Sequence, residues 1–325
     1  MLNRFTSKIL TLAIGLAGVI LAPTPAIAQA GDFPSRPIEL VVPFAAGGGT
    51  DVLARVFAEM AKKHIRQPIT VMNRPGASGA IGLADVVNGR PDGYKMSLMT
   101  VEATILPHTG IAKFTYEDFI PLVRLNADPS AITVRADAPW NTIEEFLEAA
   151  RKAKGDVKIG NAGNGSIWHL AAAALGQQTS TTFNHIPFQG GGPAVIALLG
   201  GHVDAVAVSP AEVFVHVASG KLKMLAVMAD KRVKGFEQVP TLKERKIDLS
   251  IGTWRGIGVA KGTPPEIVNV LTSAVTKTAS EPAVREALDK LNLGYSFADA
   301  ATFKADMALD NEFFKQLINR LNIKN

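Results

Sequence analysis

The sequence predicts an α/β protein of two lobes, each a sheet flanked by helices. Three observations carry that prediction. Short apolar, β-branched runs alternate with helical periodicity along the chain after residue 30, the pattern of a parallel sheet covered by helices. A glycine turn recurs where such a run meets a helix, at Gly47 to Asp51, Gly163 to Ser166 and Gly190 to Pro193, and more weakly at Gly76 to Gly79. The last third has too few strand-like runs for its own sheet, so it should complete the first lobe. The expected division is 31–127 with 229–325 as one domain and 128–228 as the other, with crossings near Ala127 and Met228.

Residues 1–30 read as a cleaved secretory leader. Arg4 and Lys8 precede an apolar run from Ile9 to Leu21, and cleavage fits after Ala28 or Ala30. The run is short for a membrane span, and Pro23 and Pro25 follow it. The 325-residue chain has no cysteine, which excludes disulfides, thiolate metal sites, a cysteine nucleophile and a lipidated cysteine. A secreted chain of this kind is expected in a periplasm, free of the membrane. Losing Arg4 and Lys8 lowers the formal charge from +5 to +3. No basic block with interleaved aromatics is present, so nucleic acid is not an expected partner.

In the first lobe, Ile38 to Phe44 is strand-like, and Val52, Leu53, Val56, Phe57 and Met60 recur at helical spacing. Thr50 stands where an N-cap would, and Asp51 suits the first turn. Pro68 to Met72 and Tyr94 to Thr100 are further strands, separated by a helix from Ala80 to Val87; Phe119 to Leu125 is a fourth. Asp128-Pro129-Ser130 breaks the pattern. The second lobe has strands at Ala131 to Ala136, Val157 to Gly160, Phe183 to Phe188, Val203 to Val208 and Leu222 to Met228. Thr142 and Glu145 have capping-box spacing. A helix opens at Ser166, and Pro193 suits a first helical position. Ser250 to Ala260 returns as a strand, and helices follow Pro264, follow Glu281 and fill Thr302 to Leu321.

The glycine turns carry the functional reading. In an open α/β sheet they lie at the carboxyl ends of the strands, where ligands bind. Free N–H groups at the helix starts attract anions. Two lobes facing each other with these ends inward would hold a carboxylate without a dedicated arginine. Gly47-Gly48-Gly49 is neither a P-loop nor a dinucleotide fingerprint, because the Gly-Lys-Ser/Thr and the third spaced glycine are missing. Ser166 and His169 share a helix face and leave a Ser/His hydrolase open, although Gly165-Ser166-Ile167 is not a nucleophile elbow. Ser166 is better read as an N-cap that also meets ligand. The six histidines form no metal-binding pair, so neither metal nor cofactor is expected.

The assembled motifs resemble the Bug family, the substrate-binding proteins of tripartite tricarboxylate transporters. The matching stretches are Pro34 to Ile38, Val42 to Asp51, Asn73 to Ala77, Pro91 to Tyr94, His185 to Ala194, Leu198 to Asp204 and Gly262 to Pro264, in order along the chain after the leader. The resemblance implies a two-lobed periplasmic binding protein of the type II-like Venus flytrap kind, each lobe a mixed, mainly parallel sheet. It implies a monomeric, non-enzymatic receptor for a small organic acid, a tri- or dicarboxylate such as citrate. Its partners would be small and large integral membrane subunits of a secondary carrier, or alternatively a sensor kinase. It places ligand at Ala46, Gly47, Gly48, Thr50 and Asp51 on one side. On the other it places Ala162, Gly163, Gly165, Ser166 and His169, bordered by Pro187, Phe188, Gln189 and Gly190. Ser78 and Thr100 are further candidates. Arg255 stands where relatives carry an uncharged aromatic. It is expected either to add a charge for a second or third carboxylate or to be an ordinary arginine, at the surface or paired with a nearby acid.

Overall fold

The computed structural model describes residues 33–323; the leader read over 1–30 lies outside them. A six-stranded sheet is built from β1 (Ile38–Val42), β2 (Ile69–Asn73), β3 (Lys95–Thr100), β4 (Phe119–Pro129), β10 (Gly252–Ala260) and β11 (Tyr295–Asp299). Its order is β11-β4-β10-β3-β1-β2. A five-stranded sheet holds β5 (Ala131–Arg135), β6 (Lys158–Asn161), β7 (Asn184–Pro187), β8 (Ala205–Val208) and β9 (Leu222–Val227), in the order β7-β6-β8-β5-β9. The helices are α1 (Gly49–Ala61), α2 (Ala80–Val87), α3 (Glu102–Thr109), α4 (Ile143–Lys152), α5 (Ile167–Thr179), α6 (Gly191–Leu199), α7 (Pro210–Ala218), α8 (Pro265–Ser280), α9 (Pro282–Lys290) and α10 (Ala300–Leu321).

Both sheets are mixed. β1 runs parallel to β2 and β3, and β6 runs parallel to β7 and β8. The remaining pairs are antiparallel, because they involve the strands that carry the chain between lobes or bring it back. The expectation of mainly parallel sheets therefore holds only for these two trios. The C-terminal strands β10 and β11 do complete the first sheet.

β1 is buried on both faces, as a strand with helices on each side must be. Ile38, Leu40 and Val42 pack under α1 and α8 with Leu53, Phe57 and Val275. Val41 points the other way, toward Leu83 and Val86 of α2. That second core continues through Phe44 and Val101 to Ile159, Ile167 and Trp168, so apolar packing runs unbroken from one lobe to the other.

Local chemistry corrects several sequence expectations. Thr50 is not the N-cap of α1. Gly48 has the extended backbone of a cap and Gly49 is already helical, while the Thr50 hydroxyl accepts from Arg255 Nε at 2.9 Å. Pro193 is the third residue of α6, because Gly190 caps it. β4 continues through Asp128 and Pro129, paired along its length with β10, and only Ser130 separates it from β5. Three elements were not legible: α3, α7 and β11. The α3 stretch mixes Glu102, two threonines and His108 with its apolar residues and contains Pro107, so its pattern has no period to detect. The capping box at Thr142 and the Ser166 cap of α5 form as expected.

Three backbone positions tie the lobes together. Ser130 N–H donates to Ile251 O (2.9 Å), Ile251 N–H to Met228 O (3.0 Å) and Met228 N–H to Ser130 O (2.8 Å). After Met228 the chain does not return at once to the first sheet. Thr241 bridges Val227, and Leu242 N–H donates to Val227 O; re-entry comes at Gly252.

Candidate functional site

The loops after β1, β3, β6, β7 and β8 converge on one seam, because all five strands present their carboxyl ends to it. From the first lobe come the β1–α1 turn and the start of α3. From the second come the β6–α5 turn and the starts of α6 and α7. The contact is close. Ala45 N–H donates to Gln189 O at 2.9 Å, and the Ser78 hydroxyl donates to Asn164 O. At Gly192 an added Cβ would lie 3.0 Å from Gly48 N and 3.1 Å from Gly47 C. Only a residue without a side chain lets those two turns touch.

The seam encloses a cavity of about 10 Å³, lined by Phe44, Gly48, Thr50, Thr100, Glu102, Ala162, Ile167, Trp168, Gly191, Glu212, Thr253 and Arg255. That is room for about one water. Two helix starts face it, and each already holds a carboxylate from the other lobe. Gly49 N–H at the start of α1 donates to Glu212 Oε1 at 3.3 Å. Ile167 N–H at the start of α5 donates to Glu102 Oε1 at 3.1 Å. Opposed amides that hold carboxylates across a closed seam show that both helix starts offer donors to an anion. Residues 53–323 match the family described as Tripartite tricarboxylate transporter family receptor.

The chain belongs to that family.

BugT of Bordetella pertussis is 31% identical to this receptor over 86% of this chain and 87% of its own. A TctC solute binding protein from Polaromonas, solved with no ligand, is 60% identical, covers 89% of this chain and 99% of its own, and superposes with a TM-score of 0.65. MatC from Rhodopseudomonas palustris, with bound malate, is 26% identical, covers 88% and 100%, and superposes at 0.81.

The charges in this receptor's seam are unequal. Arg255 is 2% exposed and donates from Nη1 to Asp128 Oδ2 at 2.7 Å. Of the two outcomes the sequence allowed for Arg255, pairing with an acid is the one seen, although its side chain also lines the cavity. Burial pushes the Glu102 carboxyl above its usual range, against the pull of the Thr100 side chain, Ile167 N–H and Arg255. Burial raises Glu212 likewise, against Arg255 and the N–H groups of Ser209 and Gly49. Among the described residues no cluster of three His, Asp or Glu could hold a metal.

The sequence candidates fall into four groups. Gly48, Thr50, Thr100, Ala162 and Arg255 line the cavity. Ser78, Gly163, Gln189 and Gly190 lie along the lobe contact, where Gly163 sits against Ser78 and Gly190 against Phe44. Asp51, Gly165, Ser166 and His169 hold the turns in shape. Asp51 accepts from Gly47 N–H, Asn73 and Arg55. His169 Nδ1 accepts from Gly165 N–H at 3.0 Å, and Ser166 Oγ accepts from the His169 backbone N–H. Burial and the neighbouring His185 push the His169 imidazole down to about 4. Its Nδ1 is occupied by a backbone donor, and Ser166 Oγ faces a backbone amide. Ala46, Gly47 and Pro187 are exposed at the rim, and Phe188 packs on Gly160 of β6.

Sequence reasoning missed Glu102 and Glu212. Each leaves a faint signal. Glu102 is the one charge in the apolar run from Met96 to Leu106. Glu212 stands three after Ser209, a capping-box spacing that the structure realises.

Proposed function

We propose that this protein is a periplasmic solute receptor that closes its two lobes over a small organic acid and delivers it to the small and large membrane subunits of a tripartite carrier. It acts as a monomer and does no chemistry on its ligand. The observation that carries the reading is that both helix starts in the cavity are seated on carboxylates. A site that accepts the protein's own carboxylate groups when closed has the donors to accept a ligand's.

The finer expectation was a tri- or dicarboxylate such as citrate. Malate bound to a relative supports the acid class. Further charges on the ligand would need cations, and the seam offers Arg255, already paired with Asp128. The reading therefore stops at an acid gripped through one carboxylate.

Closure is a hinge motion of the lobes. The domains move as 31–127 with 229–325 against 128–228, except that 229–251 travels with the second lobe through its pairing to β9. The TM-scores support this. A 60% identical chain keeps the same lobes, yet the ligand-free relative superposes less well than the malate-bound one at 26% identity. Rigid lobes placed at different angles account for that inversion. A cavity of about 10 Å³ is far below the roughly 300 Å³ of ordinary ligand sites, so ligand must enter an opened form.

The test is a thermal-shift screen of the mature chain against organic acids. A ligand bound only by the folded state raises the melting temperature. If no acid does so at millimolar concentration, the proposal fails.

A further inference from the structure

We propose that a pocket on the far side of the Arg255–Asp128 pair is a second binding site, for a small carboxylic acid with an apolar body, and that an acid seated there favours the closed form. The site does not depend on what the seam binds. Its link to closure rests on the two-lobed receptor reading above.

The pocket measures about 570 Å³, within the roughly 300–1,000 Å³ of ordinary ligand sites. It shares no lining residue with the seam cavity. Asp128 lines the pocket and Arg255 lines the seam cavity, so their ion pair stands between the two. Both lobes supply walls. Arg285 of α9 and Tyr295 of β11 belong to the first lobe, joined by Leu293 from its core. Pro210 opens α7 of the second lobe. The stretch 233–237 goes with α7, because Phe236 packs edge-on against Phe214 at 6.0 Å.

The polar groups of the wall are unequally engaged. Its three carboxylates already have partners. Asp128 holds Arg255 and Gly294 N–H, Asp289 holds Lys234 Nζ at 2.8 Å, and the exposed Glu237 accepts from Gly235 N–H at 2.9 Å. Arg285 pairs with none of them. It is exposed, its guanidinium lies 5.8 Å from the centre of the Tyr295 ring, and among the described residues it has no carboxylate partner. A guanidinium offers a flat fork of N–H donors that matches a carboxylate. Val233, Leu293 and Tyr295 add apolar surface. A free cation beside an apolar wall suits an acid with an apolar body better than a small inorganic anion.

The two walls also touch. Gly235 has a φ of +82°, and an added Cβ there would run into Asn292 Oδ1 of the first lobe. The Lys234–Asp289 pair spans the same junction. A ligand that contacts both walls fits the lobe angle that keeps them at this spacing, and so favours that angle. By linkage, a ligand in the seam and an acid in the pocket strengthen each other.

Amide NMR titration of the mature protein with phenylacetate tests the site, with phenethylamine as the counter-probe that puts a cation on the same ring. The expected result is saturable shifts at Arg285, Asn292 and Gly294, with phenylacetate bound at least tenfold more tightly than the amine. Affinity should fall at least tenfold in Arg285→Gln. Small-angle scattering should show phenylacetate shrinking the radius of gyration of wild type and not of Arg285→Gln. Shifts confined to Gly47–Gly49 and Gly163–Ser166 would place the acid in the seam, overturning the second site and leaving the receptor reading standing. No shift at millimolar phenylacetate, equal binding of the amine, or an affinity unmoved by Arg285→Gln also overturns it. Binding in the pocket with an unchanged or larger radius overturns the link to closure. The comparison of acid with amine needs no variant and stands even if Arg285→Gln fails to fold.

Discussion

Glu212 and Glu102 each reach across the seam to a helix start on the other lobe, yet they are held differently. Glu212 uses both oxygens. Oε2 accepts from Ser209 N–H and the Ser209 hydroxyl, and Oε1 takes Gly49 N–H. Glu102 uses Oε1 on Ile167 N–H, and its carboxyl also draws on the Thr100 side chain. The first is therefore part of its own helix cap, with lobe contact added. The second belongs to no helix cap and is held by its contacts at the seam. The same residue type at two positions is thus used in two ways: one is shared between a helix cap and the lobe contact, and one serves the lobe contact alone.

The largest test of that contrast removes the cation near both. Arg255→Met leaves Asp128 buried and unpaired beside two glutamates, and should cost about 3–5 kcal/mol in urea unfolding. A loss under about 1 kcal/mol would mean that the buried pair contributes no more than an exposed one.

Acid should weaken the second-lobe side next. His169 titrates near 6.5 when unfolded and at about 4 when folded, so protons favour the unfolded chain. Stability should fall as pH drops below 6.5 and level off near 4, a loss of up to about 3 kcal/mol. Glu102 and Glu212, raised by burial, act in the opposite sense. The measurement is therefore the difference between wild type and His169→Asn, whose side-chain oxygen keeps an acceptor for Gly165 N–H. A variant with the same pH profile as wild type refutes the assignment.

Smaller effects should separate the two glutamates directly. Glu212→Ala loses the cap of α7 and the bond to Gly49, about 1–2 kcal/mol, and should enlarge the radius of gyration in small-angle scattering. Glu102→Gln should stay within about 1 kcal/mol of wild type, since a neutral amide relieves a buried charge. Equal losses in differential scanning calorimetry would erase the distinction.

Least in stability, though not in function, is Gly192→Ala. Its Cβ meets the Gly47–Gly48 backbone of the other lobe. The melting temperature of the free protein should hold, while affinity for any ligand that requires closure falls at least tenfold. Unchanged affinity would mean that the closed seam described here is not the bound form.

Much of this was legible in the chain. β-branched runs set the strands because their side chains fit a pleated, buried surface. Ser166 and Thr142 announced their caps, since a short side-chain oxygen before an apolar periodic run has one good use. The recurring glycine turns located the seam. Thr50 and Pro193 misled because glycines just before them capped the helices instead, and a glycine cap has no side chain to read.

Local sequence determined the elements, the turns and the family, since each depends on neighbours a few residues apart. Tertiary structure alone decided what fills the seam. Glu102 is 65 residues from Ile167 and Glu212 is 163 from Gly49, and no local pattern encodes which distant amide a carboxylate will reach. Folding brought two acids and one committed arginine into a space with little water. There charge is set by distance and burial, which the linear order of residues does not contain.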